Sequence, residues 1–236
     1  LGDVYKRQEI SVSQTGRAFN NNLKLTQDHK MLTYENGDLV SKEINEILSN
    51  EQMLLIAQKV PSLSKSSEKD KKLAYLLGAI STDGHIYLSK THGEVQFIQK
   101  PTEEKKQFID AVQNSIEMVY NKKFSVSQKK ISNGFIRGKP AVGQANAYRC
   151  YSKQIAEQLL EEKQKIVQTL LISDEEIIYN FLAGVIDGDG SFNKQSGMIN
   201  VYIGNDNLLQ AVVTGCLRIG TVPQVSVNRS IYNVQI

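Results

Sequence analysis

The sequence predicts an α+β protein built on an internal duplication, two half-domains related by pseudo-twofold symmetry with a β-rich segment ahead of them. Three observations predict it. An amphipathic helix pattern occurs twice, as LLGAISTDG over residues 76–84 and LAGVIDGDG over 182–190, each ending on an acid followed by glycine. The copies keep one register: Gly78 and Gly184, Asp83 and Asp189, and Gly84 and Gly190 all lie 106 positions apart. The offset carries into the next strand, where Val95, Phe97 and Gln99 match Val201, Ile203 and Asn205. A repeat this long exceeds the 20–50 residue period of solenoids and points to duplication of a whole half-domain.

Residues 1–8, LGDVYKRQ, resemble read-through of a transposon-end sequencing adapter and are set aside from the fold. Residues 9–61 read as β-rich. LKLTQDHKMLTY suggests two short strands, Asn36-Gly37-Asp38 a turn, SKEINEIL a short helix and MLLIAQKV a further strand. Residues 62–72, SLSKSSEKDKK, are polar and read as a linker.

The first half is expected over 73–172 and the second, truncated, over 173–236, each in the order helix, strand, strand, helix, strand, strand. In the first half the strands fall near 85–90, 94–99, 124–130 and 145–152. PTEEKKQFIDAVQNSIEMVY forms the helix between the pairs and SKQIAEQLLEEKQK the closing helix. In the second the strands fall near 191–194, 199–204, 222–228 and 231–236, with a helix over 207–219. The absence of an initiator methionine and the ending inside a strand-like run at Ile236 suggest a piece of a longer reading frame.

Leu73, Leu76, Leu77 and Ile80 lie on one helical face, as do Ile177, Ile178, Phe181, Leu182 and Val185. Gly78 and Gly184 sit inside these helices, where glycine costs about 0.5–1 kcal/mol against alanine. Close approach of two backbones along a shared seam would offset that cost. Gly84 and Gly190 fit the left-handed position that closes a helix. That puts Asp83 and Asp189 at carboxyl ends, where the helix dipole disfavours an anion. Parallel neighbouring helices would also set the two carboxylates against each other. A divalent cation makes such an arrangement favourable, and an all-oxygen donor set suits Mg²⁺.

Composition excludes little else. The sequence has 28 Lys and Arg against 25 Asp and Glu, a net charge of +3 that is compatible with a polyanion partner. No apolar run approaches the roughly 18 residues of a membrane helix, so no membrane partner is expected. Cys150 and Cys216 fit no zinc spacing and are too few for a disulfide framework. They are expected as buried reduced thiols of a cytoplasmic protein.

The paired motifs resemble those of the LAGLIDADG (DOD-type) homing endonucleases, over about residues 72–236. The resemblance implies a saddle of two αββαββα halves, a monomer with pseudo-dimeric symmetry. The motif helices form its seam, and its sheets lie in the major groove of double-stranded DNA. It implies that Asp83 and Asp189 bind Mg²⁺, with the carbonyls of Thr82 and Gly188 nearby. Gln99, with Lys100 beside it, and Asn205 would organise water at the strand ends, and Lys163 in LEEKQK would support the attacking water or the developing charge. Asp187, matched by Ser81 in the first copy, reads as capping or structural. The chemistry implied is metal-dependent phosphodiester hydrolysis, one cut per strand, giving a staggered break. DNA contacts are expected from Lys90, Lys100, Lys129, Lys130, Arg149, Lys194 and Arg229, and from Arg137 and Lys139 in a glycine-rich hairpin loop, SNGFIRGKPAVG. His85 and His92 read as surface or DNA-facing.

LTQDH, residues 25–29, resembles the Thr-x-x-His block of intein (Hint) splicing domains, which implies that Thr26 and His29 strain a scissile peptide. The resemblance makes this an endonuclease carried in an intein, with host-protein exteins in cis. Inteins open on Cys or Ser and close on His-Asn. Neither end occurs in this sequence, so splicing is expected only of the full-length protein. An intron-encoded endonuclease or RNA maturase and a non-catalytic DNA-binding regulator of the same fold stay open as alternatives.

Overall fold

The computed structural model describes residues 7–14, 17–26, 28–50, 62, 65–128, 132–136 and 139–236, and the side chains of these except 7–14, 17–24, 132–136 and 139–142. The described residues start with two antiparallel hairpins. β1 (Arg7–Gln14) pairs with β2 (Arg17–Thr26), and β3 (Lys30–Glu35) with β4 (Asp38–Glu43). The turn between β3 and β4 places both Asn36 (φ 53°) and Gly37 (φ 92°) in the left-handed region, which matches the strand twist of a tight hairpin. α1 (Ile44–Ser49) follows, burying Ile44 and Ile47 beside Leu25 and Met31. The strand expected over MLLIAQKV lies outside the described residues.

α2 (Glu68–Thr82) starts earlier than the sequence reading placed it. Ser67 and Asp70 form a capping box: the Asp70 carboxylate accepts from the Ser67 N–H at 2.9 Å, and the Asp70 N–H donates to the Ser67 hydroxyl at 3.3 Å. The last five residues of the expected linker are therefore the first turns of the helix.

β5 (Gly84–Leu88) and β6 (Gly93–Gln99) lead to α3 (Glu103–Tyr120). β7 (Ser125–Gln128), β8 (Ser132–Ile136), β9 (Lys139–Gly143) and β10 (Asn146–Tyr151) come next, and α4 (Lys153–Ile172) closes the first half. The segment read as a loop thus contains a hairpin of its own, β8 with β9. α4 runs to Ile172, past the expected end at 165. Arg218 from the second half supports that extension, donating from its buried guanidinium to the carbonyls of Leu170 (3.3 Å) and Ser173 (2.7 Å). A cation at a helix carboxyl end satisfies orphan carbonyls and complements the dipole.

The second half repeats the order with α5 (Glu175–Asp189), β11 (Gly190–Asn193), β12 (Met198–Ile203), α6 (Asp206–Arg218), β13 (Gln224–Asn228) and β14 (Ile231–Gln235). The two four-stranded sheets share one topology, β5-β6-β10-β7 and β11-β12-β14-β13, antiparallel throughout. One apolar cluster runs through both halves. In the first sheet Phe97 stacks on Tyr148 at 4.4 Å and meets Phe124 edge-on at 5.2 Å. In the second, Val201, Ile203 and Val234 are buried against Leu208, Val212 and Cys216 of α6. Both cysteines are free and buried, and burial pushes the Cys216 thiol up to about 12. No helix among the described residues is long and apolar enough to cross a membrane.

Candidate metal centre at the helix seam

α2 and α5 pack side by side in the same direction. A Cβ on Gly78 would overlap the carbonyl oxygen of Phe181 and lie 2.9 Å from the Val185 nitrogen. A Cβ on Gly184 would overlap the carbonyl oxygen of Tyr75 and lie 2.9 Å from the Ala79 nitrogen. The two contacts are reciprocal under the 106-residue offset, so the glycines mark a pseudo-twofold axis. Here the loss in helix propensity is offset by backbone contact that no side chain would permit.

The N-terminal ends of the two helices are joined as well. Asp174 caps α5 by accepting from the Ile177 N–H at 3.0 Å, and its other oxygen accepts from the Ser66 N–H, just before α2, at 2.6 Å. Midway along the seam the Tyr75 hydroxyl donates to the Asp187 carboxylate at 2.7 Å. Burial and that bond both hold the Tyr75 phenol well above its ordinary range.

At the carboxyl ends the glycines act differently from the expectation. Gly84 is not in the left-handed region, and Gly190 is extended (φ −81°, ψ 150°). Each opens a strand that folds back over the last helical turn. A Cβ on Gly84 would lie 2.7 Å from the Ile80 Cα, and one on Gly190 2.9 Å from the Ile186 Cα. Close return of the chain, not positive φ, requires glycine here.

Asp83 is the C-cap of α2 and Asp189 the last residue of α5. Burial raises the Asp83 carboxyl above its ordinary value, and the charge of Asp189 adds to the rise; Lys105 and the bond from Gln99 oppose it. Burial likewise raises Asp189, against Lys105. The two acids thus lie within electrostatic reach of each other and of one lysine. Gly188 clears the space between the helices: a Cβ there would overlap the Thr82 hydroxyl and lie 3.5 Å from an Asp83 carboxylate oxygen.

Gln99, at the end of β6, donates from its amide nitrogen to Asp83 at 2.9 Å. Its amide oxygen accepts from the Lys100 N–H at 3.0 Å, which fixes the orientation of the amide. Lys105, on α3, was not singled out by the sequence. It donates to the carbonyl of Asp187 at 2.8 Å and to that of Gly188 at 3.3 Å. A lysine three residues after the Thr102 cap gives no sequence signal that it reaches across to another helix.

The other expected site residues are placed elsewhere. Asn205 caps α6, its side-chain oxygen accepting from the Leu208 N–H at 3.0 Å. Lys163 lies half-buried on α4, its carbonyl accepting from Asn207 at 3.0 Å, and burial lowers its ammonium pKa. No described hydrogen bond or ion pair joins Lys163 to either motif acid.

Arg149 projects from β10 and pairs with Glu94 at 3.1 Å and with the Ser127 hydroxyl at 2.7 Å. Lys90, Lys100, Lys194 and Arg229 are exposed at strand ends and turns. Lys129, Lys130 and Arg137 lie outside the described residues, as does the side chain of Lys139. Thr26 and His29 share a turn, the His29 N–H donating to the Thr26 carbonyl at 3.1 Å, with His29 exposed.

Among the described residues no group of three or more His, Cys, Asp or Glu is arranged around a metal position. The oxygen set at the seam nonetheless fits a hard cation. Two carboxylates with carbonyl oxygens beside them leave coordination positions for water and phosphate, which is how Mg²⁺ is commonly held.

No family model matches the chain. It is 26% identical over 231 residues to a probable phosphoenolpyruvate synthase of Methanocaldococcus jannaschii, covering 95% of this chain and 18% of that protein. It is 27% identical over 123 residues to transcription initiation factor IIB of the same organism, covering 48% of this chain and 17% of that one. The chain therefore spans less than a fifth of the length of these curated relatives. Among solved structures it is similar to the homing endonuclease I-DmoI. The structure of I-DmoI in complex with DNA and Mn superposes with a TM-score of 0.52 at 20% identity, over 72% of this chain and 90% of that one. The fold is that of this endonuclease.

Proposed function

We propose that the chain is a site-specific homing endonuclease of the LAGLIDADG type that makes a staggered double-strand break by metal-dependent hydrolysis, and that it is carried within an intein. The observation that carries the nuclease reading is the meeting of Asp83 and Asp189 at the carboxyl ends of two glycine-cleared parallel helices. A fold scaffold alone does not require two acids to lie within electrostatic reach of each other where the dipoles oppose them.

Asp83, Asp189 and the carbonyls of Thr82 and Gly188 would hold Mg²⁺. When bound, the ion supplies an activated water and stabilises the attacking and leaving oxygens of the phosphodiester. Gln99 keeps Asp83 oriented through its clamped amide, and Lys100 sits beside it at the exposed strand end. Asn205 and Lys163 are the corresponding candidates further out. Arg149, Lys90, Lys194 and Arg229, with Lys129, Lys130, Arg137 and Lys139, would hold double-stranded DNA along the two sheets. I-DmoI in complex with DNA supports that partner. The pseudo-twofold seam supports action as a monomer.

The intein reading rests on a second observation. One chain matches short slices of two proteins with unrelated names, as a mobile insert would. The turn joining Thr26 and His29 would then belong to the splicing domain of residues 9–61, with exteins of a host protein on either side.

The test is cleavage of a random duplex library in MgCl₂, with the ends sequenced. One defined sequence with staggered ends is expected; duplex retention without cutting would favour the non-catalytic regulator. Flanking reading frames that do not encode the two parts of one host protein would remove the intein reading and leave the nuclease untouched.

A further inference from the structure

Lys105 reaches the seam from a helix outside it. It is the third residue of α3, after the Thr102 cap and behind Glu103 and Glu104. A cation in a first turn opposes the helix dipole. The side chain passes over the Phe108 ring of the same helix, its ammonium 5.4 Å from the centroid, and ends on the last-turn carbonyls of Asp187 and Gly188. There its charge complements the carboxyl end of α5 and lies within electrostatic reach of Asp83 and Asp189. The duplication offers no second copy. Under the 106-residue offset the counterpart of Lys105 is Ala211, which is buried.

We infer that Lys105 is a built-in counter-ion that occupies the Gly188 carbonyl in the metal-free protein and must be displaced for a divalent cation to bind between Asp83 and Asp189. The inference rests on the metal reading of the seam. An ammonium held on the Gly188 carbonyl repels a divalent ion that would use the same oxygen beside the two carboxylates. Lys105 therefore stabilises the empty site and weakens the filled one. Once displaced, it is an extra cation at the mouth of the site, available to a DNA phosphate. Because only one half carries it, the two acids do not hold the ion symmetrically.

The test is Mn²⁺ binding to the full chain without DNA, followed by loss of the free-ion electron paramagnetic resonance signal, with melting curves in parallel. Removing a cation that competes for the same carbonyl and repels the incoming ion leads us to expect Lys105→Met to bind Mn²⁺ more tightly, by about tenfold or more. The same variant should melt lower than the parent without metal and regain the difference on adding Mn²⁺. Lys105→Gln keeps an amide donor for the two carbonyls and should show the same tightening. Unchanged or weaker binding in both variants, with binding still lost in Asp83→Asn, overturns the inference and leaves the metal site standing. Absence of Mn²⁺ binding in the parent and in both variants overturns the metal reading and the inference with it.

Discussion

The Tyr75 hydroxyl donates to the Asp187 carboxylate across the seam at 2.7 Å, and the positions related to these by the internal duplication are Phe181 and Ser81. The two halves thus carry a matched exchange: a phenol where the facing helix has an acid, a phenyl where it has a serine. Tyr75→Phe should destabilise the protein by about 1–2 kcal/mol, because the bond to a charged acceptor is lost. Adding Asp187→Ser to that variant should cost little more, because the partner is already gone. Urea unfolding of the two single variants and the double variant gives the coupling directly, and additive losses would contradict it.

Gly78→Ala and Gly184→Ala should each cost about 3 kcal/mol or more, at or beyond the upper end of overpacking in a well-packed interior. The added methyl meets backbone atoms of the facing helix, which no change of rotamer relieves. Thermal melting checks this. A loss below about 1 kcal/mol, comparable to ordinary surface changes, would mean the helices are not in backbone contact.

Metal-free stability should respond to pH through the motif acids. Burial raises both carboxyls in the folded state, and Asp83 is raised further by Asp189. A carboxyl with a raised folded pKa makes the folded state bind more protons than the unfolded one. Its ionisation therefore destabilises the fold fully above the folded pKa, and the penalty is relieved as pH falls toward the ordinary value of 3.8. Asp83→Asn should accordingly raise the metal-free melting temperature at pH 7, by about 2 °C, and the gain should shrink on acidification. A lower melting temperature for the variant at pH 7 would contradict the arrangement.

Much of the frame was legible because it rests on spacing. The repeated motif, its 106-residue offset and the periodic apolar positions located the seam, the paired acids and the order of helices and strands. Gln99 was legible because VQFIQK resembles the strand end that carries a polar residue in the family's motif. Features that depend on the third dimension were not. Gly84 and Gly190 read as left-handed helix ends, since acid-glycine carries that meaning locally; what requires glycine is the strand returning over Ile80 and Ile186. The start of α2 hid in a polar stretch, although Ser67-x-x-Asp70 carries a capping-box signal. The extension of α4 depends on Arg218, more than forty residues away. Lys105 left no trace in the sequence, because its partners are carbonyls on another helix.

The measurement that bears most directly on the shared site is single-turnover cleavage in MgCl₂ of the duplex recovered from the library, by the parent, Asp83→Asn and Asp189→Asn. The account predicts that each substitution slows strand cutting by about 10²–10³-fold or more, the range seen when one stabilising group is removed, while the duplex is still retained. Cutting of both strands at the parent rate by either variant would contradict it.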